Sequence, residues 1–242
     1  MEILEGFDKL SIADQRECER ELYRNDLYAF TKYGLGYSEL TRRTHGPICD
    51  ALQEDTRRKL LCLPRGAFKS TIACVAYPIW LLIRNPNERI LLSSEVFSNA
   101  KNFIREIKMH LKSQLFVSLY GDWEGVAGWG QHELLIANRT IPHKEASITA
   151  GGIETQKVGQ HYNIIILDDL SSPSNTHSPE MQQKVIQFYQ YQTSILEPDG
   201  TIVVIGTRYA ENDIIGWILE NEIDKETVDG LKDKIKTNPT KN

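Results

Sequence analysis

Ile164-Ile-Ile-Leu-Asp-Asp169 runs four apolar residues together without alternation and ends on two adjacent carboxylates. A strand that is apolar on both sides belongs inside a parallel sheet covered on both faces. Two other stretches repeat the form. Lys59 to Leu63 runs into a Pro64-Arg65-Gly66 turn, and Thr201 to Ile205 runs into Gly206-Thr207-Arg208. Arg89 to Leu92 adds a strand that stops at Ser93-Ser94. Helical stretches lie between them: Lys69 to Ile83 with a kink expected at Pro78, Ser98 to Leu111, Pro179 to Leu196, and Glu211 to Glu220. Strands interleaved with helices predict an α/β fold, a doubly wound and mostly parallel sheet flanked by helices.

Working outward, Leu10 to Phe30 reads as a helix with Ser11 as its cap, and a second short helix is expected near Pro47 to Glu54. Residues 1–55 form a helical lead-in in this reading, 56–222 the core, and 223–242 a polar tail expected to fray. Residues 113–160 are richer in glycine and polar groups. There, Leu134 to Ile136 and Ala146 to Thr149 suggest short strands of a hairpin-like insertion.

Composition narrows the function classes. The 242 residues are 40% hydrophobic and 25% charged, which excludes collagen-like, disordered and coiled-coil chains and allows one large α/β domain. The longest apolar runs, Ile72 to Ile83 and Tyr162 to Leu167, fall short of the roughly 18 residues of a membrane span, so a soluble protein is expected. Met1 to Gly6 is acidic and no apolar targeting segment follows, which predicts a reducing cytoplasm. Cys18, Cys49, Cys62 and Cys74 are far apart without CxxC pairing, against a zinc site or disulfide framework, and read as small buried hydrophobes. A net charge of -5 has the wrong sign for wrapping nucleic acid, so any DNA contact is local.

Three segments carry chemistry. In Leu63-Pro-Arg-Gly-Ala-Phe-Lys-Ser-Thr71 a strand ends, glycine turns the chain, and Lys69-Ser70-Thr71 opens a helix. In the loop that Pro64 opens, main-chain N–H groups of Arg65, Gly66, Ala67, Phe68 and Lys69 to Thr71, with the helix dipole, can wrap anionic oxygens while Lys69 meets the outer phosphates of ATP. Ser70 can ligate Mg²⁺. The strict GxxxxGK[ST] pattern fails, because Leu63 and Phe68 stand where its glycines belong, and an ordinary helix start is the competing reading. Asp168 is suited to hold Mg²⁺ through water, and Asp169 to deprotonate the attacking water; a helix cap is the bland alternative. Thr207 can sense the γ-phosphate from a neighbouring strand. Arg65 can fold back on that phosphate or reach a neighbouring subunit's nucleotide. The stripe Lys101, Arg105, Lys108 and Lys112 reads as a solvated helix face rather than a DNA contact.

In their order and spacing these segments resemble the ATPase domain of the large terminase subunit, the DNA-packaging motor of tailed bacteriophages. The loop at 63–71 resembles that family's variant phosphate loop, with an arginine four positions before the lysine. Gly159 to Leu170 resembles its second motif, and Gly206-Thr-Arg-Tyr-Ala-Glu-Asn-Asp213 its coupling motif. Thr44-His-Gly-Pro-Ile-Cys-Asp50 resembles the preceding segment, which implies adenine contacts at His45. The resemblance, from about residue 40 to 220, implies a P-loop NTPase fold of the RecA/ASCE type and a Mg²⁺-dependent ATPase. It also implies double-stranded DNA, a procapsid portal and a small terminase subunit as partners, a ring on the portal with a monomer in isolation, and the host cytoplasm. Lys157 is a candidate trans-acting cation, and a solvated lysine otherwise.

Two departures matter. Asp169 stands where many members carry glutamate, which predicts slow hydrolysis. Nothing after Glu222 resembles the family's nuclease domain, so a motor half without nuclease activity is expected. A nucleotide-binding assembly module without turnover is the alternative from another class, and a helicase-like translocase the second.

Overall fold

The computed structural model describes residues 7–125, 129–155 and 159–222. Ser11 caps α1 (Ile12–Asn25), its hydroxyl accepting the Asp14 N–H. The single helix expected to Phe30 is broken at Asp26, whose carboxylate accepts the N–H groups of Tyr28 and Ala29 and so starts α2 (Leu27–Ala29) afresh. π-Helical turns follow over Phe30–Gly34. Helix α3 (Arg42–Gln53) begins five residues earlier than expected and carries Pro47 inside it. After β1 (Arg58–Cys62) the chain is helical from Lys69, first as π-turns over Thr71–Ala76 and then as α4 (Tyr77–Arg84). The kink expected at Pro78 takes the form of those wide turns just before it.

The remaining elements are β2 (Ile90–Ser94), α5 (Phe97–Leu111), α6 (Gln114–Tyr120), β3 (Glu133–Leu134), β4 (Ile148–Gly152), β5 (Tyr162–Asp168), α7 (Pro173–Thr176), α8 (Pro179–Ser194), β6 (Leu196–Gly206) and α9 (Ile214–Asn221). They form a six-stranded sheet in the order β1-β6-β5-β2-β4-β3, parallel throughout except for β3. The mostly parallel, helix-flanked α/β sheet read from the sequence is therefore present. Alternate residues of β5 enter two separate cores: Ile164 and Ile166 pack with α3, α4 and α5, whereas Ile165 and Leu167 pack with α8 and α9.

The hairpin-like insertion expected within 113–160 is corrected by β4, which lies inside the main sheet, parallel to β2; only β3 adds an antiparallel edge. The cysteine reading also needs correction. Cys49 and Cys74 are buried, but Cys18 is half-buried and Cys62 exposed.

Candidate functional site

The strand order puts β6 between β1 and β5, so the three segments singled out in the sequence leave adjacent strands at the same C-terminal rim, where open α/β sheets bind ligands. Lys69, only 6% exposed, lies at their meeting point. Its ammonium is 3.1 Å from Asp169 Oδ2 and donates to Thr207 Oγ1 at 3.1 Å. Thr207 Oγ1 donates in turn to the Leu63 carbonyl at 3.0 Å, and the Thr207 N–H donates to Asp169 Oδ1 at 3.0 Å. The Ser70 hydroxyl donates to Asp168 Oδ1 at 2.7 Å. Lys69, Asp169 and Thr207 thus form one bonded group and Ser70 with Asp168 a second, side by side at the same rim.

Two backbone conformations shape it. Asp169 leaves the strand with φ 41°, and Phe68 enters the helix with φ 53°. An extended strand would send the two neighbouring carboxylates to opposite faces; the left-handed turn at Asp169, which aspartate tolerates better than most residues, brings both to the rim. Gly206 leaves room for this turn, since a Cβ there would meet Asp169 Oδ1 at 3.3 Å. Phe68 occupies a conformation that costs a bulky residue about 1–2 kcal/mol. Its ring packs edge-on against His45 at 5.4 Å. His45 Nδ1 accepts the Thr41 N–H at 2.9 Å, so the imidazole is fixed to the start of α3.

Burial, more than any other influence, pushes the Asp168 carboxyl up to about 6; the Ser70 hydrogen bond opposes this and the neighbouring Asp169 charge adds to it. Beneath it, burial raises the pKa of the Cys74 thiol, reinforced by the Asp168 charge. Ser70 and Asp168 are hard oxygen donors side by side, the donor chemistry Mg²⁺ takes. Among the described residues no group of three or more His, Cys, Asp or Glu could hold a metal.

Arg65 is exposed and donates through Nε to the Tyr209 hydroxyl at 2.9 Å, its guanidinium 5.5 Å from the ring centroid. Pro64, Gly66, Ala67 and Thr71 complete the loop and first helical turn around Lys69. Lys157 lies outside the described residues. In the basic stripe, Lys112 pairs with Glu124 at 2.7 Å, Lys108 donates to the Gly130 carbonyl and the Lys101 ammonium lies 5.1 Å from the Phe97 ring centroid, so three of its four cations serve local contacts. A cleft of about 700 Å³ opens along the same rim on the far side of β5 from Lys69, bordered by Glu95, Phe97, Ile153, Asn175 and Phe188. Sequence reading missed Glu95, Ser172 and Asn175, which form a hydrogen-bonded group beside Asp169. The only signal was their position just after the Ser93-Ser94 and Asp168-Asp169 strand ends.

No protein-family model matches the chain. Among curated proteins, the chain is 28% identical over 162 residues to the large terminase subunit of Enterobacteria phage T3. That match covers 65% of this chain and 27% of the relative, so the chain spans about a quarter of the relative's length. Among solved structures, a chain from a complex of S. cerevisiae Dbp5 with Nup159, Gle1, IP6 and ADP aligns with a TM-score of 0.49 and 13% identity, over 80% of this chain and 48% of that one. The terminase resemblance read from the motifs is thus also the one the curated comparison returns.

Proposed function

We propose that this chain is a Mg²⁺-dependent ATPase motor domain of a phage large terminase subunit, whose turnover drives double-stranded DNA through a procapsid portal. The observation that carries the reading is the Lys69 ammonium, buried and 3.1 Å from both Asp169 and Thr207, which come from two other strands of the rim. Such a charge, held by side chains that a triphosphate can replace, is what a phosphate loop requires.

In this reading the loop from Pro64 to Thr71 wraps the phosphates with its N–H groups, and Lys69 exchanges Asp169 for the outer phosphate oxygens. Asp169 stays aimed by the Thr207 N–H and takes the proton of the water that attacks the γ-phosphorus, leaving ADP and inorganic phosphate. Ser70 and Asp168 would hold Mg²⁺, which when bound neutralises charge on the phosphate oxygens. His45 fixes Phe68 and the base end of the site, and Arg65 supplies a further cation to the phosphates. Thr207, bonded to the phosphate loop at Leu63 and to Asp169, gives β6 a direct sense of whether the phosphate is present. Double-stranded DNA, the portal, the small terminase subunit and a ring of copies are the partners this activity needs, in the cytoplasm of an infected host.

One observation favours a second reading, a nucleotide-binding assembly module without turnover: the presumed base already pairs with Lys69. Steady-state phosphate release separates the two. We expect Mg²⁺-dependent release by the natural chain and a loss of about 10²-fold or more in Asp169→Ala, with nucleotide binding kept. Equal rates in both proteins would leave the binding module standing.

A further inference from the structure

Glu95 follows β2, and the register that pairs Ser94 with Asp168 sets it level with Asp169 one strand away. Its Oε1 accepts three side-chain donors from the segment that leaves the two aspartates: Ser172 Oγ at 2.7 Å, Ser174 Oγ at 3.2 Å and Asn175 Nδ2 at 3.0 Å. Asn175, 4% exposed, closes that segment on itself, donating to the Leu170 carbonyl at 2.8 Å and accepting the Ser172 N–H at 2.9 Å. From the other side, Ser171 Oγ accepts the Ile214 N–H at 3.4 Å, which joins the segment to α9. The direction of the chain after Asp169 is therefore set from outside, by β2 and by α9. Asp169 itself holds a left-handed backbone without glycine's freedom. The Thr207 N–H and Lys69 aim its carboxylate from one side, and the Ile205 carbonyl accepts its N–H; where the next three residues are fixed sets the backbone turn from the other.

We propose that Glu95 is a positioning residue for Asp168 and Asp169. It tethers the exit segment to β2, so that the turn at Asp169 keeps both carboxylates at the phosphate rim. Glu95 contacts none of the residues that would cradle nucleotide, so its effect falls on the chemical step and not on binding. This inference rests on the ATPase reading.

The test compares Glu95→Ala and Glu95→Gln in the full chain by ATP turnover and thermal unfolding. Glutamine keeps an oxygen facing the three donors; alanine removes it. We expect Glu95→Ala to lower kcat about tenfold, the scale expected of a sub-ångström misplacement, with KM for ATP within twofold. Glu95→Gln should return kcat to within threefold of the natural chain. Three results would overturn the assignment: kcat within twofold in Glu95→Ala, a matching rise in KM, or equal damage in both variants. Should Glu95→Ala fail to fold, the double variant Ser172→Ala, Ser174→Ala removes two donors from the same oxygen and must show the same split, and unchanged turnover there overturns it too. A natural chain without any turnover fells the ATPase reading and this inference together, whereas an active natural chain beside an unaffected Glu95→Ala fells the tether alone.

Discussion

The sheet carries a buried group of charges at each end, and the two are built differently. At the N-terminal end of the strands Arg89, 8% exposed, pairs with Glu197 at 2.7 Å and with Glu145 at 3.7 Å, and donates through Nε to Asn163 Oδ1 at 3.0 Å. Burial pushes the Glu145 carboxyl up, but the His161 N–H, Lys144 and Arg89 outweigh it and leave the group below its ordinary value. Neither Arg89 nor its partners has left-handed backbone. At the C-terminal rim one lysine serves Asp169 and Thr207 together, Asp168 is pushed upward, and Phe68 and Asp169 both hold left-handed backbone. The difference lies in backbone and place and not in partners, since Arg139 beside Glu145 keeps two buried guanidinium nitrogens without an acceptor among the described residues; left-handed backbone where parallel strands end together is what marks the rim as the candidate ligand site.

That contrast can be broken most decisively by removing the cation from each end. Lys69→Ala should reduce ATP turnover by 10²-fold or more while the protein still melts cooperatively. Arg89→Ala, which leaves Glu145 with Lys144 and the His161 N–H but frees Glu197 and Asn163 of their shared partner, should cost about 1–3 kcal/mol of stability in denaturant unfolding but leave kcat per folded molecule near the natural value. Loss of turnover in the folded Arg89 variant would erase the distinction.

The next largest effect concerns acidity, and the two ends should respond with opposite sign. Asp168 rises from 3.8 to about 6 on folding, so the native protein holds the extra proton between those values and its stability falls as pH climbs through them. The shift corresponds to about 3 kcal/mol. Asp168→Asn should therefore melt above the natural chain at pH 7.5, the gap closing toward pH 4. Glu145 is lowered, so its contribution is present above its ordinary value of 4.5 and disappears as pH drops through the native one. Glu145→Gln should melt below the natural chain at neutral pH, with that gap closing in acid. Calorimetry across pH 4 to 8 checks Asp168→Asn, and calorimetry continued below pH 4 checks Glu145→Gln. The smallest effect is a reference for both ends: Arg105→Ala, on the exposed face of α5, should shift stability by no more than about 0.5 kcal/mol.

How much of this was legible in the residues follows the same physics. Runs such as Ile164 to Leu167 announced buried parallel strands because each is apolar on both faces, and the segments carrying Lys69, Asp168, Asp169 and Thr207 could be read as one site because parallel strands end together. Strand β4 was only partly readable: a strand was expected over Ala146 to Thr149, but neither its run to Gly152 nor its place inside the main sheet. Its Gly151 and Gly152 look like loop residues, yet a Cβ at Gly151 would meet Ser93 Oγ at 2.4 Å and one at Gly152 the Phe97 backbone at 3.0 Å. Close approach, not chain reversal, demands those glycines. The break at Asp26 was hidden for a different reason, since an aspartate inside a helical pattern becomes a cap only when its side chain turns back to the next N–H groups. The Glu95 tether depends on a strand register that periodicity does not reveal.

The edge-on contact of Phe68 with His45 has a consequence for how the phosphate loop can change over evolutionary time. A loop built with glycine at position 68 would take its bend at no steric penalty and owe nothing to its surroundings. Here the bend is made with an aromatic side chain whose ring packs against α3 at His45, so a change on either side of that contact reaches the loop. A substitution at either position 45 or 68 would repack the other ring and, through it, the loop.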